Sequence, residues 1–241
     1  MKRNQIKVRW NAIFVGLTFV ACIAVIIYAS TKIDKAITVD TIPQNQKMII
    51  LDAGHGGMDG GCSTADGVSE KGINLNILLS VKDMCEFFGY PVEATRVKDI
   101  SIHDKGTTGI RNQKVSDMDN RLALFNKYPD AICVSIHQNT FSDPQYHGAQ
   151  MFYSPNVDGS EEFAAILQRN FVNNLQPNNE RETKPCGDEL FLCHYSKNPA
   201  VMVECGFLSN LEEASNLTNP TYQLNVAFTI FEGLTEFYNL V

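Results

Sequence analysis

From Ala12 to Ala29 eighteen consecutive positions carry no charge, Trp10 and Tyr28 stand at the two ends of this run, and Lys2, Arg3, Lys7 and Arg9 precede it. That length is near the lower limit of the ~17–25 apolar residues that cross a bilayer. The run is long for a cleaved signal peptide and no A-x-A site follows it, so the pattern predicts an uncleaved N-terminal signal anchor, a transmembrane helix within residues 1–30. The positive-inside rule then leaves the bulk of the chain outside the cytoplasm, membrane-anchored or, after cleavage, secreted. Residues 31–46, "TKIDKAITVDTIPQNQ", are polar, contain a proline and show no sustained period, as a tether does.

From Lys47 onward apolar runs alternate with helical periods. "KMIILDA" reads as a buried strand, "EKGINLNILLSVKDMCEFFG" as a helix closed by Gly89, and "YPVEATR" as the next strand. "SDMDNRLALFNKY" follows as a helix capped by Ser116 or Asp117, and "AICVSIHQN" as a strand dense in β-branched residues. "GAQMFYS" adds a strand, "SEEFAAILQRNFVNNL" a helix, "ELFLCH" an extended segment, "AVMVECGF" a buried strand and "TYQLNVAFTIFEGLTEFYNL" a closing amphipathic helix. This alternation predicts the α/β class: a single domain, residues 47–241, with a central, mostly parallel (mixed) β-sheet flanked by helices on both faces.

Composition is ordinary for a globular chain, 44% hydrophobic and 20% charged, and adds little. Charge adds more. The net charge of -7 includes the four early cations, so the rest of the chain carries -11. Nucleic-acid affinity rests on neutralising phosphates with Lys and Arg, and an acidic domain argues against it. The seven cysteines are scattered, and Cys85, Cys133 and Cys205 lie in apolar runs as buried thiols do. Cys22 falls within the uncharged run, and Cys186 and Cys193 are the one pair worth testing for a bridge. No CxxC or Cys/His knuckle occurs, which argues against a cysteine-ligated structural zinc.

Candidate chemistry sits where strands end, the place ligands gather in open α/β sheets. His55 lies in "LDAGHGGMDGG" directly behind "MIIL", His137 in "CVSIHQN" and Glu204 in "VMVECGF", while Glu70 opens the first long helix. Each has a bland reading. His55 alone can be a polar loop residue, His137 a hydrogen-bonded core histidine, Glu204 half of an ion pair, and Glu70 an acid favoured by the helix dipole. A carboxylate between "AVMV" and "CGF" is nonetheless costly unless paired or metal-bound. Two imidazoles plus one carboxylate form a recurrent set for catalytic zinc, and a second carboxylate can then act as general base. The glycines around His55 would let the loop turn sharply and let a bulky substrate come close. "GHGGMDGG" lacks the spacing of either a P-loop or a dinucleotide fingerprint.

These blocks resemble the zinc-dependent N-acetylmuramoyl-L-alanine amidases, the cell-wall hydrolase family known as amidase type 3. The resemblance runs from Lys47 to the C-terminus and rests on "IILDAGHGGMDGG", "SEKGINLNI", "CVSIHQNTF" with "HGAQMFYS", and "PAVMVECGFLSN", all in the family's order. It implies one catalytic Zn2+ held by His55, Glu70 and His137, with Glu204 as the catalytic carboxylate. It also implies hydrolysis of the amide between the lactyl group of N-acetylmuramic acid and L-alanine, the partners being the peptidoglycan glycan strand and stem peptide. Arg96 in "ATR" and Arg121 in "DNRLALFN" match the pattern between the first ligand blocks. The short chain with its N-terminal anchor is similar to the germination-specific, sporulation-type members, which implies a place in the forespore or spore envelope and a role on the route to muramic-δ-lactam in spore cortex. An accessory activating protein stays open, as do two rival functions: a peptidoglycan metallo-carboxypeptidase, and a membrane-tethered wall-binding protein without turnover. The segment from "DKGTTGI" to "NQKVSD" is less familiar in the family. Asn139 can hold substrate, hold the loop, or simply end its strand. His103, His147 and His194 lie outside the blocks and are read as surface or loop residues.

Overall fold

The computed structural model describes residues 46–241. The expected anchor over residues 1–30 and nearly all of the tether lie outside the described residues. Among the described residues no helix is long and apolar enough to cross a membrane. Lys47–Val241 form one compact unit.

Six strands make one sheet: β1 (Ile49–Ala53), β2 (Val92–Ala94), β3 (Ile132–Asn139), β4 (Gln150–Tyr153), β5 (Lys184–Pro185) and β6 (Ala200–Phe207). Their spatial order is β2-β1-β3-β6-β4-β5. All neighbours run parallel except β4 and β6, so the sheet is mixed as the alternating pattern anticipates. Six helices complete the domain: α1 (Glu70–Phe87), α2 (Ile110–Phe125), α3 (Ser160–Asn174), α4 (Phe191–Tyr195), α5 (Leu211–Leu217) and α6 (Pro220–Tyr238).

Strand alternation divides the core between two faces. Ile49, Leu51, Ile132, Val134, Val201 and Val203 pack with the apolar stripes of α1, α3 and α6. Ile50, Cys133 and Ala200 point the other way, onto Phe125 of α2 and Leu192 and Cys193 of α4. Both faces of the central strands are therefore dry, which is why "MIIL" and "AVMV" read as unbroken apolar runs rather than as alternations.

Two expectations need correction, and one helix was not expected at all. Helix α2 begins at Ile110, so Ser116 and Asp117 lie inside it and cap nothing. They instead hold the preceding loop: Asp117 accepts from Ile102 N at 2.6 Å and Ser101 Oγ at 2.7 Å, and Ser116 Oγ accepts from Asp104 N at 3.0 Å. The first half of α2 is covered by polar contacts and solvent, so it carries no apolar period. "ELFLCH" is extended nowhere along its apolar core: Phe191–Tyr195 form a helix, a choice that periodicity cannot make for so short a run. Helix α5 was absent from the sequence-based set, although Asn210 caps it by accepting from Glu212 N and Glu213 N at 3.1 Å each.

Candidate functional site

The C-terminal ends of β1, β3 and β6 lie side by side, and the start of α1 meets them there. Parallel pairing sets His137 directly against Glu204 across β3 and β6. The chain leaving β1 passes through Gly54, whose N–H donates to Ile136 O at 3.0 Å, and then turns at His55 with a φ of 63°. This left-handed conformation is uncommon for a residue with a side chain and costs energy that the surroundings must supply. Two buried arginines supply it. Arg121 donates to Ala53 O at 2.8 Å and His55 O at 2.6 Å, and Arg96 donates to Ala53 O and Gly54 O at 2.9 Å each. Asp52, 0% exposed, anchors Arg121 at 2.6 Å.

Glu70, 2% exposed, occupies the centre of the cluster. Its Oε2 accepts from Cys62 N at 2.9 Å and faces His55 Nε2 at 3.3 Å. Its Oε1 accepts from Asn74 Nδ2 at 3.0 Å and Gln138 N at 3.1 Å, and lies 3.1 Å from His137 Nδ1. Burial alone would raise its pKa, but the hydrogen bonds and charges of His137 and His55 prevail and hold it far below the usual carboxylate range. Burial likewise works against a charged His55. Glu70, and then Asp59, outweigh it and lift the imidazole to about 9.

Two glycines of "GHGGMDGG" serve the cluster itself. A Cβ on Gly54 would collide with Cε1 and Nε2 of the His137 ring. Gly61 has a φ of 70°, and a Cβ there would run into Glu70 Oε2 and come within 2.7 Å of His55 Cδ2. Space for side chains of the site, rather than for a ligand, is what these two positions give.

His55, Glu70 and His137 each offer a donor atom, and the three atoms lie within 4.8 Å of one another. The two rings meet edge to face at 5.0 Å. One hard oxygen and two imidazole nitrogens converging at this spacing fit a zinc ion, with the carboxylate already ionised by its surroundings. Glu204 stands apart from this trio. Its Oε2 is shut off from solvent and has no hydrogen-bond partner, and burial, partly opposed by the His137 charge, pushes its pKa up to about 7. An enclosed carboxyl oxygen without a partner is rare and calls for an explanation in function.

The other histidines stay outside. His103 bonds Ser101 Oγ, His147 the backbone of Gln145, and His194 the backbone of Cys186. Asn139 ends β3, its Oδ1 accepting from Thr140 N at 2.8 Å. Cys186 and Cys193 are free thiols in the second core. Sequence reasoning did not assign Asp52 or Asp59 any role, although Asp52 directly follows an apolar run, where an acid requires a partner.

A family model described as N-acetylmuramoyl-L-alanine amidase matches residues 49–236. The chain belongs to this family. It is 32% identical over 198 residues to the germination-specific N-acetylmuramoyl-L-alanine amidase of Bacillus subtilis, covering 82% of each chain. Its fold is similar to that of the CwlD amidase of Clostridioides difficile, solved in complex with the GerS lipoprotein, with TM-score 0.77, 36% identity and coverage of 81% of this chain and 100% of the other. An N-acetylmuramoyl-L-alanine amidase from Clostridium difficile 630 superposes with TM-score 0.70 at 26% identity, over 81% of this chain and 98% of that one. The match to the family model takes in all four predicted site positions.

Proposed function

We propose that this protein is a zinc-dependent N-acetylmuramoyl-L-alanine amidase that hydrolyses the amide between the lactyl group of N-acetylmuramic acid and the L-alanine of the stem peptide in peptidoglycan. The observation that carries the reading is the convergence of His55, Glu70 and His137 beside an unpartnered Glu204 oxygen. In this reading His55, Glu70 and His137 hold the ion. When bound, zinc supplies the Lewis acidity that polarises an amide carbonyl and brings the pKa of water toward about 7. Glu204 Oε2 takes a proton from the attacking water and returns it to the departing alanine nitrogen. A carboxyl held near neutrality is matched to both transfers. The three N–H donors on Glu70, from Cys62, Asn74 and Gln138, keep that carboxylate charged and in place through the cycle.

Similarity to the germination-specific relative supports spore cortex as the substrate wall and muramic-δ-lactam as the later fate of the freed muramic acid. The lipoprotein bound to the CwlD amidase supports an accessory protein for this chain as well. Residues 1–30 serve as a membrane anchor and 31–46 as its tether, with the catalytic domain, 47–241, held outside the cytoplasm at the forespore or spore envelope. Digestion of defined muropeptides followed by mass spectrometry tests the reaction. Release of the intact stem peptide beginning at L-alanine, with peptide-free glycan, supports the amidase. Loss of only a terminal amino acid identifies a carboxypeptidase, and no product at all, with zinc and the accessory protein both supplied, a wall-binding protein.

A further inference from the structure

Besides Arg96 and Arg121, the stretch from the end of β2 into α2 reaches the His55 loop through Asp99 and Lys114. Asp99 Oδ1 accepts from Gly57 N at 2.8 Å, while Lys71 Nζ bridges Asp99 Oδ2 at 2.8 Å and Gly57 O at 2.7 Å. Farther along, Lys114 of α2 donates to Asp59 Oδ1 at 3.0 Å. The other oxygen of Asp59 lies 3.0 Å from His55 Nδ1.

The orientation of the His55 ring gives this chain of contacts its meaning. Nε2 faces Glu70 and the other donors, so it is the atom available to a metal, and Nδ1 faces Asp59. An imidazole that gives its Nδ1–H to a carboxylate has its ring plane fixed, so that Nε2 is the nitrogen that yields its proton to a metal. His55 needs such help more than His137 does. His137 is set by a strand in register with β6, whereas His55 sits on a loop at a left-handed φ with a quarter of its side chain exposed. The Lys114–Asp59 pair is itself half-exposed, and a pair in that setting adds little to folding stability. Its consequence is geometric: with Oδ1 on Lys114, Oδ2 is turned toward His55 Nδ1.

We propose that Asp59 and Lys114 form a positioning relay through which helix α2 sets the affinity of the site for zinc. The proposal rests on the metal reading given above. The test uses the full chain as wild type, Asp59→Asn, Lys114→Met and Lys114→Arg, with zinc affinity measured by competition against a chromophoric chelator and thermal unfolding of the metal-free proteins as a check on folding. Asp59→Asn is expected to weaken zinc binding by about 10–100-fold. Lys114→Met should weaken it by a smaller factor, and Lys114→Arg should restore wild-type affinity, because arginine can replace the donor while methionine cannot. Wild-type affinity in Asp59→Asn overturns the relay, and a Lys114→Met affinity equal to wild type removes the helix from it. A metal-free variant that melts with the wild type but binds zinc poorly supports positioning over a general loss of structure. Wild-type protein that takes up no zinc, either alone or with its accessory protein bound, overturns the metal reading itself, a result distinct from equal binding by all four proteins.

Discussion

A methyl group on Gly61 would strike Glu70 Oε2 and His55 together, at a backbone φ that only glycine adopts without strain. Gly61→Ala is therefore expected to lower stability by about 1–3 kcal/mol and to abolish stoichiometric zinc binding, measured by denaturation and by metal analysis of the folded fraction. Glu204→Gln has the opposite profile. It keeps the volume of the side chain and leaves the trio of donors untouched, so zinc content should stay at the wild-type level while turnover of muropeptides falls by about 10²–10⁴-fold. Full activity in that variant would remove Glu204 from the chemistry. His137 and Glu204 were legible in the sequence because an imidazole or a carboxylate inside an apolar strand is expensive unless used. Asp59 was not legible, since an aspartate among glycines reads as a turn residue. Only the folded loop brings it back against His55, four residues earlier.

At the scale of elements, the contact that fixes β1 to α2 is ionic. Arg121 bridges Asp52 of β1 and Asp117 of its own helix at 2.6 Å each, with Ser135 and Thr95 completing the coordination of Asp52. Burial by itself would raise the Asp52 pKa, but the charges of Arg121 and His137 and the two hydroxyl hydrogen bonds hold it below its ordinary value. A folded-state pKa below the unfolded one means stabilisation that is complete above the unfolded value of about 3.9 and is lost as pH falls toward the folded value. Asp52→Asn should cost about 3–5 kcal/mol near neutral pH, because it leaves a buried guanidinium without its partner. The same variant should lose less stability than wild type when urea unfolding is repeated below about pH 4. An equal loss in both would show that Asp52 does not carry the acid sensitivity. The long elements were readable because α1, α3 and α6 show a clear apolar stripe and β1, β3 and β6 are apolar on both sides. The start of α2 and the short helix α4 were not. The first is covered by a polar loop, and the second is too brief for its period to register.

On the scale of the whole molecule, the order of the sheet does what no local pattern can. β3 enters between β1 and β6, and so brings residues from four separate segments to one edge. The sequence order of the blocks carries their resemblance to the family, yet the distances among them exist only after the strands pair. The anchor proposed for residues 1–30 belongs to this scale too. Full-length protein should float with lipid vesicles after alkaline carbonate extraction, whereas recovery in the soluble fraction would mean that these residues do not hold it in a bilayer. The central claim is that His55, Glu70 and His137 share one zinc ion. Anomalous scattering at the zinc edge from crystals of zinc-loaded protein tests it most directly. A single peak within about 2.0–2.2 Å of one nitrogen from each histidine and one oxygen of Glu70 is the predicted result. A zinc peak bound by other residues, or none at this cluster in protein that contains stoichiometric zinc, would contradict it.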